Sequence, residues 1–225
     1  MAIEIERKYL DADFEEVAMR LRELGAKEIG ARFECNIIFD GDPSILEQKK
    51  LLRLRINIFP NRESRVLTWK EPARSQDENG FKRREEIEIS VGDATNATII
   101  LGKLGFAPRA VYEKFRASYI LDFQGVDGRA LRARAELDEL PFGKFIELEG
   151  DEDAIEIAAR LLGLNALRTS VMTYHELHRE WRSLNGLPPA IDIRFDPEDK
   201  EKLAKRLCIS TEALPDPSTF AKWKD

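Results

Sequence analysis

The chain has 225 residues, 43% hydrophobic and 35% charged, enough apolar material for one large domain or one domain with an appendage. Its 36 basic and 42 acidic side chains leave a net charge of −6, which does not describe a polybasic nucleic-acid binder. No apolar run reaches membrane-spanning length, the first residues are charged where a secretory leader needs an apolar stretch, and Cys35 and Cys208 match no metal or redox spacing, so a reduced cytoplasmic protein is expected.

Residues 3–10 alternate Ile3 and Ile5 with Glu4, Glu6 and Lys8, the period of a strand. A helix is predicted from Asp13, with Phe14, Val17, Leu21 and Leu24 at helical spacing and Gly25 to stop it. Residues 33–39 read as a strand, followed by a loop at 41–44. Strands at 51–57 and 65–70 flank a turn near Pro60 and Asn61. Residues 71–80 form a polar loop, and 81–90 a long alternating strand. A second helix is predicted over 93–104, before Gly105. Strands at 110–122, 130–138 and 142–149 follow, then helices over 151–162 and 170–181. Beyond Asn185 the character changes: Pro188 and Pro189 mark a linker, 197–207 reads as a short helix and 215–225 as a loose end. Residues 1–185 are therefore read as the main domain and 186–225 as an appendage of unknown role. A chain ending after Trp181 is expected to fold, because every predicted strand precedes that point.

In segment after segment the polar face carries both signs of charge. Arg53 and Arg55 share a face, as do Thr68 and Lys70. Arg84, Glu86 and Glu88 form another row, then Lys114 with Arg116, then Arg134, Glu136 and Asp138, and last Glu147 with Glu149. Clustered carboxylates are the hard oxygen donors that Mg²⁺ or Mn²⁺ takes. Clustered Lys and Arg match the anionic oxygens of a polyphosphate. A closed barrel with these rows inside would hold both. A solvated sheet face with cross-strand ion pairs, in a two-layer α+β sandwich, is the alternative that alternation alone leaves open. His175 and His178 lack an acidic partner at metal spacing, the tryptophans at 69, 181 and 223 read as packing residues, and no phosphate-binding glycine loop is present.

Taken in order, the rows resemble the CYTH family, the triphosphate tunnel metalloenzymes that join class IV adenylyl cyclases and thiamine triphosphatases. The resemblance covers roughly residues 2–180. It is carried by Glu4-x-Glu6-x-Lys8, Arg53-x-Arg55, Lys70, Arg84-x-Glu86-x-Glu88, Lys114-x-Arg116, Asp138, and Glu147 with Glu149. It implies an α+β fold built on an eight-stranded antiparallel β-barrel with helices packed outside. It also implies Mg²⁺ or Mn²⁺ on Glu4, Glu6 and Glu147, with Glu149, Glu86, Glu88 and Asp138 serving a second metal or orienting water. Triphosphate binding falls to Lys8, Arg53, Arg55, Lys70, Arg84, Lys114, Arg116 and Arg134, of which Lys8, Lys70 and Arg116 are the catalytic candidates.

The expected function is metal-dependent hydrolysis of an inorganic or small organic triphosphate. A class IV adenylyl cyclase, making cyclic AMP and pyrophosphate from ATP, is the alternative, and a non-catalytic polyphosphate-binding module a second one. No nucleic-acid or membrane partner is expected, and a homodimer is left open.

Overall fold

The computed structural model describes residues 2–73, 80–125 and 127–220. Most of the predicted polar loop (74–79) and the last residues of the predicted loose end (221–225) lie outside the described residues. Among the described residues no helix is long and apolar enough to cross a membrane.

The strands are β1 (Ala2–Leu10), β2 (Lys27–Asp40), β3 (Leu51–Ile58), β4 (Glu63–Lys70), β5 (Lys82–Ser90), β6 (Ala107–Gln124), β7 (Ala130–Leu140), β8 (Gly143–Gly150) and the two-residue β9 (Thr169–Ser170). They form one antiparallel sheet in the order β5-β4-β3-β2-β6-β7-β8-β1-β9, and β5 also pairs with β1. That last pairing closes β1 to β8 into an eight-stranded barrel, which removes the sheet edges. Closure is shared along β1: residues 2–6 face β5 on one side, while residues 6–10 face β8 on the other. Where β5 has ended, β9 takes its place beside Lys8 and Tyr9.

Closure decides between the two readings of the charged rows. The inward face of each strand lines a lumen, and the outward face packs under helices except at β5 and the start of β1, where Ile87, Ile89 and Ile3 stand exposed. Helix α1 (Phe14–Glu23) starts at Asp13, whose carboxylate accepts from the backbone N–H of Glu15 at 2.9 Å and Glu16 at 3.2 Å. With α3 (Glu152–Leu161), it covers an outer layer in which Val17, Leu21, Ile155 and Ala158 meet Tyr9, Leu137, Ile146 and Leu148. Helix α2 (Ala94–Lys103) packs with the outward residues of β2, β3 and β6. A third cluster sits around α4 (Tyr174–Leu184), with Tyr174 and Leu177 against Leu10, Leu140 and Phe145.

Two predicted boundaries move by four residues or more. Strand β2 starts at Lys27, six residues before the predicted start, because residues 27–32 pair with β6 although their own side chains are more exposed. The helix predicted over 170–181 begins at Tyr174. Ser170 belongs to β9, and Thr173 caps the helix in a reciprocal capping box with Glu176.

The described part of residues 186–225 runs along the barrel wall. Ile193 bridges in parallel to Tyr112 on β6, its N–H donating to Val111 O at 2.9 Å while Glu113 N–H donates to Ile193 O at 2.8 Å. Helix α5 (Pro197–Arg206) follows, capped by Asp196 with Pro197 in its first turn. Leu203, Leu207, Phe195 and Leu214 share a core with Phe33, Cys35 and Phe115. The carboxylate of Glu113, fully buried, accepts from Phe195 N–H at 3.0 Å and from Lys200 Nζ at 2.6 Å.

Candidate active site

Strand register places the charged residues. Across the β1–β5 and β1–β8 pairings, Glu4 stands opposite Arg84, Glu6 opposite both Lys82 and Glu149, and Lys8 opposite Glu147. Arg116 faces Asp138, Lys70 faces Glu86, and Lys114 faces Glu34. These side chains, apart from Glu34, Glu86 and Asp138, line a cavity of about 900 Å³ inside the barrel, whose wall holds eleven basic residues and five glutamates.

At its acidic centre, carboxylate oxygens of Glu4, Glu6 and Glu149 lie within 4.8 Å of one another. Three converging carboxylates are a hard-donor set that fits a divalent cation such as Mg²⁺ or Mn²⁺. Basic neighbours counterbalance them. Lys70 Nζ lies 2.7 Å from Glu4 and 2.5 Å from Glu86, and Lys82 Nζ 2.7 Å from Glu6. Burial works against the charge on Glu4, but Lys70 and a hydrogen bond from Glu86 outweigh it and hold the carboxyl at about 2. Glu86 is the proton-bearing partner: burial and its bond to Glu4 push it up to about 7. Burial also raises Glu149 to about 8, opposed by Arg116 and reinforced by Glu136, Glu4 and Glu147.

The cationic wall is held from behind by buried acids. Asp138, with no exposure, binds Lys114 Nζ at 2.9 Å and Arg116 Nε at 2.5 Å, and accepts from the Tyr174 hydroxyl at 2.6 Å. Glu147 lies 3.4 Å from Lys8 and 2.6 Å from Arg116. Burial opposes its ionisation, yet Lys8 and then Arg116 hold it well below the ordinary carboxylate range. Burial lowers Lys8 in turn. Its ammonium donates to Met172 O at 2.7 Å and lies 4.1 Å over the Tyr174 ring. Arg53 donates to the Tyr112 hydroxyl at 3.0 Å, and Arg55 to Asn36 Oδ1 at 3.1 Å. Arg84 anchors the rim by donating to Glu71 O at 2.7 Å and Lys49 O at 2.9 Å.

Of the residues singled out from the sequence, Glu4, Glu6, Lys8, Arg53, Arg55, Lys70, Arg84, Lys114, Arg116, Glu147 and Glu149 all line this cavity. Their positions divide them differently. Glu149 joins Glu4 and Glu6, whereas Glu147 is clasped by two cations. Asp138 is sealed behind Lys114 and Arg116. Glu88 accepts from Thr68 at 2.8 Å and is partly solvated. Arg134 pairs with Glu136 at 3.3 Å, away from the cavity lining. Sequence reasoning missed Lys82, though it sits two residues before Arg84 on the same alternating face. It also missed Tyr112, two residues before Lys114 on the same alternating face, and Lys49, Lys50, Arg109, Tyr174 and His175, which reach the lining from a loop, a strand end and α4 and carry no periodic signal.

Residues 2–164 match the CYTH domain. The chain belongs to the CYTH family. The family contains triphosphatases and adenylyl cyclase-like proteins. A relative from Methanocaldococcus jannaschii, named a candidate adenylate cyclase, is 31% identical over 152 residues, spanning 65% of this chain and 76% of its own. The solved PH1819 protein of Pyrococcus horikoshii has a TM-score of 0.59 at 25% identity, covering 79% of this chain and 98% of its own. A Hippeastrum protein described as having a dominant triphosphatase activity shares the fold, with a TM-score of 0.54 at 17% identity over 86% of this chain and 100% of its own.

The CYTH match stops before β9 and α4, yet the segment beyond it holds the cationic wall in place through Met172 O and the Tyr174 hydroxyl. Tyr174→Phe removes one donor from a buried, charged acceptor, a loss of about 1.5–3 kcal/mol. The melting temperature should fall by several degrees. An unchanged melting curve would show that Asp138 does not depend on this hydroxyl.

Proposed function

We propose that this CYTH protein hydrolyses a triphosphate within the barrel, using Mg²⁺ or Mn²⁺ held by Glu4, Glu6 and Glu149. The observation that carries the reading is the meeting, in one cavity, of a three-carboxylate cluster with a dense cationic wall. Lys8, Arg53, Lys70, Lys82, Arg84, Lys114 and Arg116 are the groups that bind and orient the phosphate oxygens. Such fixed charges act at the moment of transfer without reorganising. A divalent cation on the glutamates supplies Lewis-acid stabilisation of phosphoryl charge. In hydrolysis, water attacks the terminal phosphorus, the bond to the bridging oxygen breaks, and orthophosphate leaves one side and the diphosphate the other. Arg116 and Lys114 suit the charge that grows on the departing oxygen, because Asp138 and Glu147 fix their positions.

Hydrolysis asks for triphosphate, cation and water alone, and this cavity has a wall for the first and a carboxylate set for the second. The Hippeastrum neighbour's described triphosphatase activity runs in the same direction. The Methanocaldococcus jannaschii relative's name keeps the cyclase as the second reading.

Phosphate release from tripolyphosphate, run beside chromatography of ATP reactions for cyclic AMP, separates the two. The expected result is orthophosphate from tripolyphosphate, dependent on the cation and on no nucleoside. Cyclic AMP as the dominant product, with tripolyphosphate inert, would replace hydrolysis by cyclisation. Tight binding with no turnover of any triphosphate would leave a polyphosphate-binding module.

Lys114→Ala should weaken triphosphate binding by about 2–5 kcal/mol, the range for truncating one member of a buried charge pair. Lys49 and Lys50, just before β3, line the cavity and are not neutral controls. Lys202, on the exposed face of α5, is the appropriate one. Equal losses from Lys114→Ala and Lys202→Ala would point to diffuse electrostatics in place of a lined tunnel.

A further inference from the structure

The polar interior of the barrel does not end at the cavity lining. One step further along the inward faces, Asn57 follows Arg55 on β3, Ser118 follows Arg116 on β6, and Glu136 precedes Asp138 on β7. Strand β2 adds Arg32, opposite Arg116, and Glu34, opposite both Asn57 and Lys114. All of these side chains are buried, and none lines the cavity. A buried charged layer is costly unless its members are paired.

Glu34 is the centre of that layer. It has no exposure, and four cations surround it. Its Oε1 accepts from Arg32 Nε at 2.7 Å and lies 4.0 Å from Arg116 Nε. Its Oε2 lies 3.5 Å from Arg55 Nε and 3.6 Å from Lys114 Nζ, and takes no hydrogen bond among the described residues. Burial opposes the charge on Glu34, but Lys114 and then Arg55, Arg32 and Arg116 hold the carboxyl well below the ordinary carboxylate range. The cations depend on it unequally. Arg116 also meets Asp138, Glu147 and Glu136, Lys114 has Asp138 at 2.9 Å, and Arg32 donates to Ser118 Oγ at 2.6 Å. Arg55 has no second acid within ion-pair reach among the described residues. Its Nε donates to the neutral Asn36 Oδ1 at 3.1 Å, which leaves its terminal nitrogens to face the cavity it lines.

We propose that Glu34 is a positioning residue, which from behind the lining holds the Arg55 guanidinium in place against the triphosphate. The proposal rests on the triphosphate reading above but not on which product forms. Its signature follows from the sign of the charge. Glu34 is an anion set behind the seat of another anion, so neutralising it favours triphosphate binding through simple electrostatics. Without it, Arg55 is repelled by the other cations of the wall and leaves the geometry that transfer needs. Small displacements of an orienting group are costly at the reaction step. Turnover should therefore fall while KM does not rise.

The test is steady-state turnover of tripolyphosphate by the full-length chain with Mn²⁺, or of ATP if that is the triphosphate turned over, beside a thermal melt. Glu34→Gln should lower kcat about tenfold, equivalent to about 1.4 kcal/mol on the barrier, with KM at or below the wild-type value. In an Arg55→Ala background the same substitution should change kcat by less than about twofold, because the residue it acts through is gone. Glu34→Asp keeps the buried charge and sets its oxygens back, and carries the test if Glu34→Gln does not fold. It should lower kcat about threefold, again with no rise in KM and again only while Arg55 is present. Wild-type kcat in the folded variant would overturn the proposal. So would a KM that rises as kcat falls, which marks general disruption of the site, or a full loss that persists without Arg55. A wild-type chain that turns over no triphosphate refutes the triphosphate reading and this proposal with it, whereas an active wild type with an unaffected variant refutes the proposal alone.

Discussion

Replacing Glu4 or Glu6 by Gln should lower kcat by at least about 100-fold, the scale seen when a group that stabilises charge at a reacting centre is removed. Both contribute oxygens to the cluster with Glu149, and a carboxamide is a neutral, weaker donor to a hard cation. The fold should survive. Neither carboxylate anchors the hydrophobic layers, and removing one negative charge relieves repulsion within a group that also contains Glu147 and Glu149. Lys70 keeps Glu86 as a partner in Glu4→Gln. Turnover across a Mn²⁺ titration, together with direct Mn²⁺ binding and a thermal melt, separates loss of the cation from loss of structure. Wild-type turnover at limiting Mn²⁺ in either variant would show that these residues do not hold it.

Ending the chain after Trp181 or Asn185 should abolish cooperative folding, the reverse of what the sequence suggests. The cut removes Phe195, Leu203, Leu207 and Leu214, and uncovers Phe33, Cys35 and Phe115 on the barrel wall. Each large side chain taken out of contact forfeits about 1.5–3 kcal/mol, against a total stability of about 5–15 kcal/mol for a typical domain. Glu113, fully buried in the full-length chain, would lose Lys200 Nζ and Phe195 N–H together with the segment that covers it, and water would replace both partners. Circular dichroism and a thermal melt of the shortened chain read the outcome. A cooperative transition within a few degrees of the full-length protein would show that the wall is stable without its C-terminal cover. Lys200→Met in the full-length chain is a separate case: the cover stays, Glu113 keeps its burial without its cation at a cost of about 3–5 kcal/mol, and the melting temperature should fall.

The sequence by itself determined the alternation. Glu4, Glu6 and Lys8 had to share one face of β1, as did Arg53 with Arg55, Lys114 with Arg116, and Glu147 with Glu149, because the side-chain period of a strand is two. The α1 and α2 termini were equally legible, since Asp13, Gly25, Asp93 and Gly105 act on the backbone within a few residues. What local chemistry does not contain is which strand pairs with which, or at what register. Only the pairing of β1 with both β5 and β8 closes the barrel, turns the charged rows inward and excludes the two-layer sandwich. Only register sets Glu149 rather than Glu147 beside Glu6, since Glu147 falls opposite Lys8. The C-terminal cover was hidden for a related reason. Its sparse apolar residues, Phe195, Leu203 and Leu207, look like those of a loosely attached tail until the outer face of β2 and β6 supplies the surface that buries them. Charge alternation is a local property, written along each strand. The contents of a cavity depend on contacts between residues far apart in the chain, and folding alone brings those together.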